Sequence, residues 1–72
     1  MRELDVFGKR VLVEYTASGW VAFYPGADGK RRAASDLWIP GFVRSEAELV
    51  EYLADLCHED ASPAHNEVRW IR

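Results

Sequence analysis

The sequence predicts an α+β fold: a small antiparallel sheet of four to five strands with one helix packed on one face, in the order β-β-β-β-α-β. Three observations lead there. The first forty or so of its 72 residues alternate apolar and polar side chains with period two between glycine-bearing turns. A later segment carries apolar residues at helical spacing behind a capping sequence. A short, weakly alternating stretch then closes the chain.

Leu4 and Val6 alternate with Glu3 and Asp5, and Val11, Val13 and Tyr15 alternate with Leu12 and Glu14. Gly8-Lys9 between them reads as a two-residue turn, with Gly supplying φ > 0, so the pair is a hairpin. Ala17-Ser18-Gly19 is a second turn, and Trp20 to Tyr24 is aromatic and β-branched enough for a third strand. Pro25-Gly26 stops it, and Pro25-Gly26-Ala27-Asp28-Gly29-Lys30 is the strongest loop signal in the chain. Arg32 to Ile39 returns as a fourth strand. Ala33-Ala34-Ser35-Asp36 are poor strand formers, so regular pairing is expected only near Leu37, and Pro40-Gly41 ends it.

Ser45 and Glu48 form a capping box at the start of the helix. Leu49, Val50, Leu53, Leu56 and Cys57 then make one apolar stripe, with Glu48, Glu51 and Asp55 on the far side, predicting a helix to about His58. Glu59 to Pro63 stop it, and Glu67 to Ile71 are expected to be a last, edge strand.

The whole chain, 1–72, reads as a single small domain. A domain this size buries only about 60% of the surface of its unfolded chain, so a dimer partner would help it. The lone cysteine, Cys57, excludes an internal disulfide and any zinc site built on two cysteines. Neither an apolar signal-type segment nor a membrane-length apolar run is present, so a cytoplasmic location and no membrane contact are expected. Net charge is −3. Residues 1–44 hold seven basic and five acidic side chains, and residues 45–72 two and seven. A pI near 5.2 disfavours non-specific nucleic-acid binding.

Both faces of the third strand carry apolar residues: Trp20, Ala22 and Tyr24 on one, Val21 and Phe23 on the other. One short helix covers one face of a small sheet, so an apolar aromatic face is expected to remain open and to serve as an interface. Twist, the long loop and Arg and Lys stems could cover it instead. Trp38-Ile39-Pro40-Gly41-Phe42-Val43 sets two aromatics around a Pro-Gly bend just before the helix cap. These either plug the end of the core or anchor a partner. Trp20, Tyr24, Trp38 and Phe42 are the candidate partner contacts.

Lys30, Arg31 and Arg32 form the basic cluster, a candidate for phosphate or an acidic partner, though three consecutive basic residues on a strand point to both of its faces. Gly19-Trp20-Val21-Ala22-Phe23-Tyr24 has a superficial likeness to the aromatic strand of RNA-recognition modules, but Ser18 stands where a basic residue would and the element order differs. Cys57 and His58, adjacent on a helix, point about 100° apart and cannot share a metal ion unaided. Cys57 belongs to the apolar stripe and His58 to solvent at the helix C-terminus, with His65 distant in sequence. Glu51, Asp55, Glu59 and Asp60 lack the spacing of a calcium loop. No catalytic triad or phosphate-cradling loop can be argued, so catalytic residues, metal and cofactor are all expected to be none.

The stretch Gly19 to Pro25, then Asp36-Leu37-Trp38-Ile39-Pro40-Gly41-Phe42-Val43, then the helix with Ser45, Glu46, Glu48 and Leu49, resembles the HicB-type antitoxin module over roughly residues 10–58. That resemblance implies three strands followed by a helix, similar to a double-stranded-RNA-binding fold, and pairing with a small toxin. The family's interval from Pro-Gly to the helix cap is longer, and its DNA-binding extension has no counterpart in these residues. The same pattern equally fits a small bacterial domain of unknown function. The expectation is therefore a non-enzymatic protein-interaction domain that self-associates through an apolar sheet face, with a protein partner or homodimer. The alternative is a nucleic-acid-binding or antitoxin-like module using the basic hairpin.

Overall fold

A computed structural model describes residues 1–26 and 29–72; Ala27 and Asp28 of the predicted loop lie outside the described residues. Five strands form one antiparallel sheet: β1 (Arg2–Val6), β2 (Lys9–Thr16), β3 (Gly19–Pro25), β4 (Arg31–Ala33) and β5 (Val68–Trp70), in spatial order β4-β3-β2-β1-β5. The helix α1 (Glu46–Leu56) connects β4 to β5 and is followed by a 3-10 turn, His58–Asp60. The predicted fold class and element order are therefore observed, with the last strand at the sheet edge beside β1.

The first turn is shifted by one residue from expectation. Val6 pairs with Lys9, so Phe7 and Gly8 make the turn, at φ 51° and 89°. Two consecutive positive φ angles match the right-handed twist of a hairpin, and the Asp5 carboxylate holds the turn by accepting from Gly8 N–H at 2.6 Å. A Cβ on Gly8 would lie 2.7 Å from the His65 ring, so the turn and the segment before β5 are packed together through a residue with no side chain.

The fourth strand is shorter than the sequence implied and lies at the other end of that stretch: Arg31–Ala33 pair with β3, whereas Leu37, where regular pairing was expected, is in no strand. After Ala33 a further bond, Ala34 N–H to Ala22 C=O, extends the ladder by one contact, and then the Leu37 N–H to Ala34 C=O bond turns the chain. Ala34, Leu37, Ile39 and Val43 are buried in the core along with Leu49 and Leu53 of α1. Burial of these apolar side chains under the sheet outweighs the ladder bonds that poor strand formers would make. The capping box is present as read: Ser45 Oγ accepts from Glu48 N–H, and the Glu48 carboxylate accepts from Ser45 N–H. That second bond holds the Glu48 carboxyl below its ordinary range. The helix ends two residues before His58, and Leu56, expected on the apolar stripe, is exposed.

Strand register decides which sheet face the helix covers. Leu4 opposes Val11 and Trp70, Val13 opposes Ala22, and Tyr15 opposes Trp20, so these side chains share one face. That face carries Leu4, Val6, Val11, Val13, Trp20, Ala22, Tyr24 and Val68, all buried in one core with Leu49 and Leu53. The other face carries Leu12, Val21 and Phe23 in half-buried positions, with Arg10, Glu14, Arg31 and Arg69 in solvent. Glu3, on that same face, is buried and paired with Arg10, whose hydrogen bond holds the carboxyl below its ordinary value. Beyond β5 the Ile71 and Arg72 N–H groups both donate to Glu3 C=O, a β-bulge that ends the sheet at this edge.

Candidate functional site

The four aromatic residues singled out as partner contacts are split by the fold. Trp20 and Tyr24 are corrected: at 8% and 9% exposed they belong to the helix-covered face, and neither is available to a partner. Trp20 donates its indole N–H to Arg44 C=O at 2.9 Å, stacks edge-on with Tyr15 at 5.0 Å and lies 6.3 Å from Trp70. The Arg2 guanidinium sits over Trp70 at 4.0 Å and pairs with Glu46, tying this aromatic row to the start of α1. Tyr24 donates its hydroxyl to the Asp36 carboxylate at 2.8 Å, and burial together with that hydrogen bond pushes its pKa up to about 12. A large aromatic whose polar tip finds a partner is favourable inside, which is why the aromatic face and not the Val21–Phe23 face was selected for the core.

Trp38 and Phe42 are at the surface, 72% and 74% exposed. They do not plug the end of the core; Leu37, Ile39 and Val43, their chain neighbours, do. The alternation is that of an extended segment around a bend, closed by Val43 N–H donating to Pro40 C=O. Tyr52 of α1 donates its hydroxyl to Trp38 C=O at 2.9 Å, so the backbone under the indole is fixed to the helix. On the other side Gly41 lies against the start of β3, its Cα 3.5 Å from where a Cβ of Gly19 would be. Two exposed aromatics are thus held on a braced backbone, which lowers the ordering cost of binding through them.

Two concavities flank this bend. A groove of about 370 Å³ runs between the outer edge of β3 and residues 33–39, with Val21, Phe23, Ala33, Trp38 and Ile39 among its walls. A shallower one of about 670 Å³ lies between Phe42 and the outer side of α1, bordered by Glu48, Glu51 and Asp55. The first was not read from the sequence, although the weakness of Ala33-Ala34-Ser35-Asp36 as strand formers was the signal for it.

Lys30, Arg31 and Arg32 are exposed. Arg31 lies over the Phe23 ring at 4.7 Å on the open face, and Arg32 over Tyr24 at 5.5 Å on the covered one. Lys9 also lies over Tyr24, at 4.4 Å. These cations cap rings at the end of the sheet and diverge, and so do not make one flat basic surface.

Cys57 caps α1 and is buried beside Tyr24, Asp36 and Asp60. Burial and the Asp60 and Asp36 carboxylates push its thiol up, so it stays protonated at neutral pH and is a poor nucleophile. His58 is exposed, its Nδ1 at 2.9 Å from Asp55 C=O. Among the described residues no cluster of three or more His, Cys, Asp or Glu could hold a metal ion, and no helix is long and apolar enough to cross a membrane.

Over residues 1–72 the chain matches the family described as Domain of unknown function (DUF7661), and it belongs to that family. No curated protein and no solved structure matches it. The comparisons show no HicB-type resemblance; the other reading of the sequence, a small domain of unknown function, is the one the family match carries.

Proposed function

We propose that this DUF7661 member is a protein-interaction domain that engages its partner through the Pro40–Gly41 bend, with Trp38 and Phe42 as anchors. The observation that carries the reading is the exposure of both rings, 72% and 74%, on a backbone tied to α1 and to β3. Large, exposed aromatics on a fixed backbone are the side chains that supply most binding energy at interfaces. The test is a cross-linking pull-down using the wild-type chain and the Trp38→Ala/Phe42→Ala variant as baits. Polypeptides held by the wild type and lost by the variant support the proposal, and an unchanged set from both baits rejects it.

Self-association through the open sheet face is a second reading, favoured by the half-buried row of Leu12, Val21 and Phe23, which no helix or strand among the described residues covers. It predicts a dimer in light scattering that is insensitive to salt, is abolished by Phe23→Glu and survives the Trp38→Ala/Phe42→Ala change. A monomer at all concentrations removes it. Nucleic-acid binding through Lys30, Arg31 and Arg32 draws less support, since the two arginines rest on rings on opposite sheet faces.

A further inference from the structure

The carboxylates of this chain differ in what they face. Glu3, Asp5, Glu46 and Glu67 each pair with an arginine. Glu48, Glu51 and Asp55, which border the groove of about 670 Å³ beside Phe42, pair with none among the described residues. Arg44 is near enough to favour the charged form of Glu48, but it does not border the groove. The three carboxylates follow one another along α1 at intervals of three and four residues, so their charges repel, and Asp55 stands in the last turn, where the helix dipole disfavours a negative charge. No lysine or arginine occurs between Arg44 and Arg69 to offset them. A helix that keeps such a row gives up stability, and departures of this kind from local preference fall in general at functional sites. The ring on the groove's other wall, Phe42, is 74% exposed.

We infer that this groove receives an arginine-bearing segment of the partner protein, a guanidinium lying on the Phe42 ring and donating to the carboxylates of Glu51 and Asp55. Charge complementarity names the occupant. Three carboxylates and no lysine or arginine border the groove, with His58 at its end holding Nδ1 against Asp55 C=O. Such a surface attracts cations and repels nucleic acid and anionic lipid. The chain makes the same arrangement within itself on the same helix: Arg2 lies over the Trp70 ring at 4.0 Å and pairs with Glu46. At Phe42 the ring and the carboxylates border one groove, and the arginine is left to the partner. Arginine fits better than lysine, because a planar, weakly hydrated guanidinium stacks on a ring and donates at its edge at the same time. A cation seated here also offsets the repulsion within the row, so binding and helix stability are linked. The inference deepens the interaction role proposed above, whose anchor Phe42 it shares, and rests on it.

The probe is an acetylated, amidated heptapeptide of alternating Arg and Ala, titrated into the whole chain with amide resonances followed by NMR. Binding in the range of about 1 mM is expected, weakening as salt rises, with shifts centred on Phe42, Glu51 and Asp55. The peptide with Lys at every Arg position keeps the charge, loses the flat fork and should bind at least about threefold more weakly. Glu51→Gln/Asp55→Asn should weaken the arginine peptide at least about tenfold while raising the melting temperature, since the repulsion goes with the charges. Phe42→Leu, which keeps an apolar side chain and removes the ring, should weaken it at least about threefold. Equal binding of the Arg and Lys peptides, unchanged binding by either variant, or shifts spread over acids elsewhere, such as Glu14 and Glu67, overturns the inference. In the pull-down above, a Glu51→Gln/Asp55→Asn bait that keeps the polypeptides lost by Trp38→Ala/Phe42→Ala overturns the arginine site and leaves the aromatic bend standing. No loss from either bait removes the interaction role and this inference with it.

Discussion

Trp20 and Trp38 differ by 18 positions in sequence and by almost the full range of exposure, and truncating each to Ala separates core from surface. Trp20 is 8% exposed, hydrogen-bonds Arg44 C=O and contacts the Tyr15 and Trp70 rings. Removing such a side chain costs about 3–5 kcal/mol from lost burial and the cavity left behind. A chain of 72 residues has roughly 4–11 kcal/mol in all, at about 0.05–0.15 kcal/mol per residue. Trp20→Ala therefore takes away about a quarter of the stability or more. Trp38 is 72% exposed, and the part of it that braces the fold is its carbonyl, which the substitution keeps. Trp38→Ala should cost no more than about 0.5 kcal/mol. Urea denaturation followed by far-ultraviolet circular dichroism reads both. With a slope of about 1 kcal/mol per molar, the Trp20→Ala midpoint falls by about 3–5 M, while the Trp38→Ala midpoint stays within about 0.5 M of the wild type. Equal midpoints for the two variants, or a larger loss for Trp38→Ala, would refute the assignment of Trp20 to the core and Trp38 to the surface.

Three further outcomes follow from the same geometry. The Tyr24 hydroxyl keeps its proton to about pH 12 in the folded state, above its ordinary value of 10.0. Its contribution is thus complete below pH 10.0 and lost as pH rises toward 12, so the alkaline fall in stability should shrink in Tyr24→Phe, measured by thermal melts across that range. Glu3 has the opposite sign: with its pKa held below the ordinary 4.5 by Arg10, its stabilisation is present above pH 4.5 and lost on acidification below it. Arg10→Met should flatten that acid branch, and an unchanged branch counts against the pairing. Gly8→Ala should destabilise by about 1–2 kcal/mol from the positive φ alone, plus a steric part from the His65 ring that His65→Ala relieves; additive losses in a double-mutant cycle would show that the two do not touch.

Local chemistry was sufficient for much of this fold. The capped helix was legible because Ser45 and Glu48 satisfy orphan backbone groups within one turn, and the strands because each alternates over a few residues. The presence of an apolar sheet face that one helix leaves open followed from the same period, whereas the sequence left open whether Trp38 plugs the core or lies outside it, and the structure puts it at the surface. What alternation cannot specify is which face that is. Trp20, Ala22 and Tyr24 on one side and Val21 and Phe23 on the other are equally good half-rows in sequence. The choice was made by groups distant along the chain, Arg44 accepting the Trp20 indole N–H and Asp36 the Tyr24 hydroxyl, which let bulky aromatics enter the core with their polar atoms satisfied. The truncation of β4 was settled in the same way, because Ala34, Leu37 and Ile39 gain more by burial beneath the sheet than by continuing its ladder.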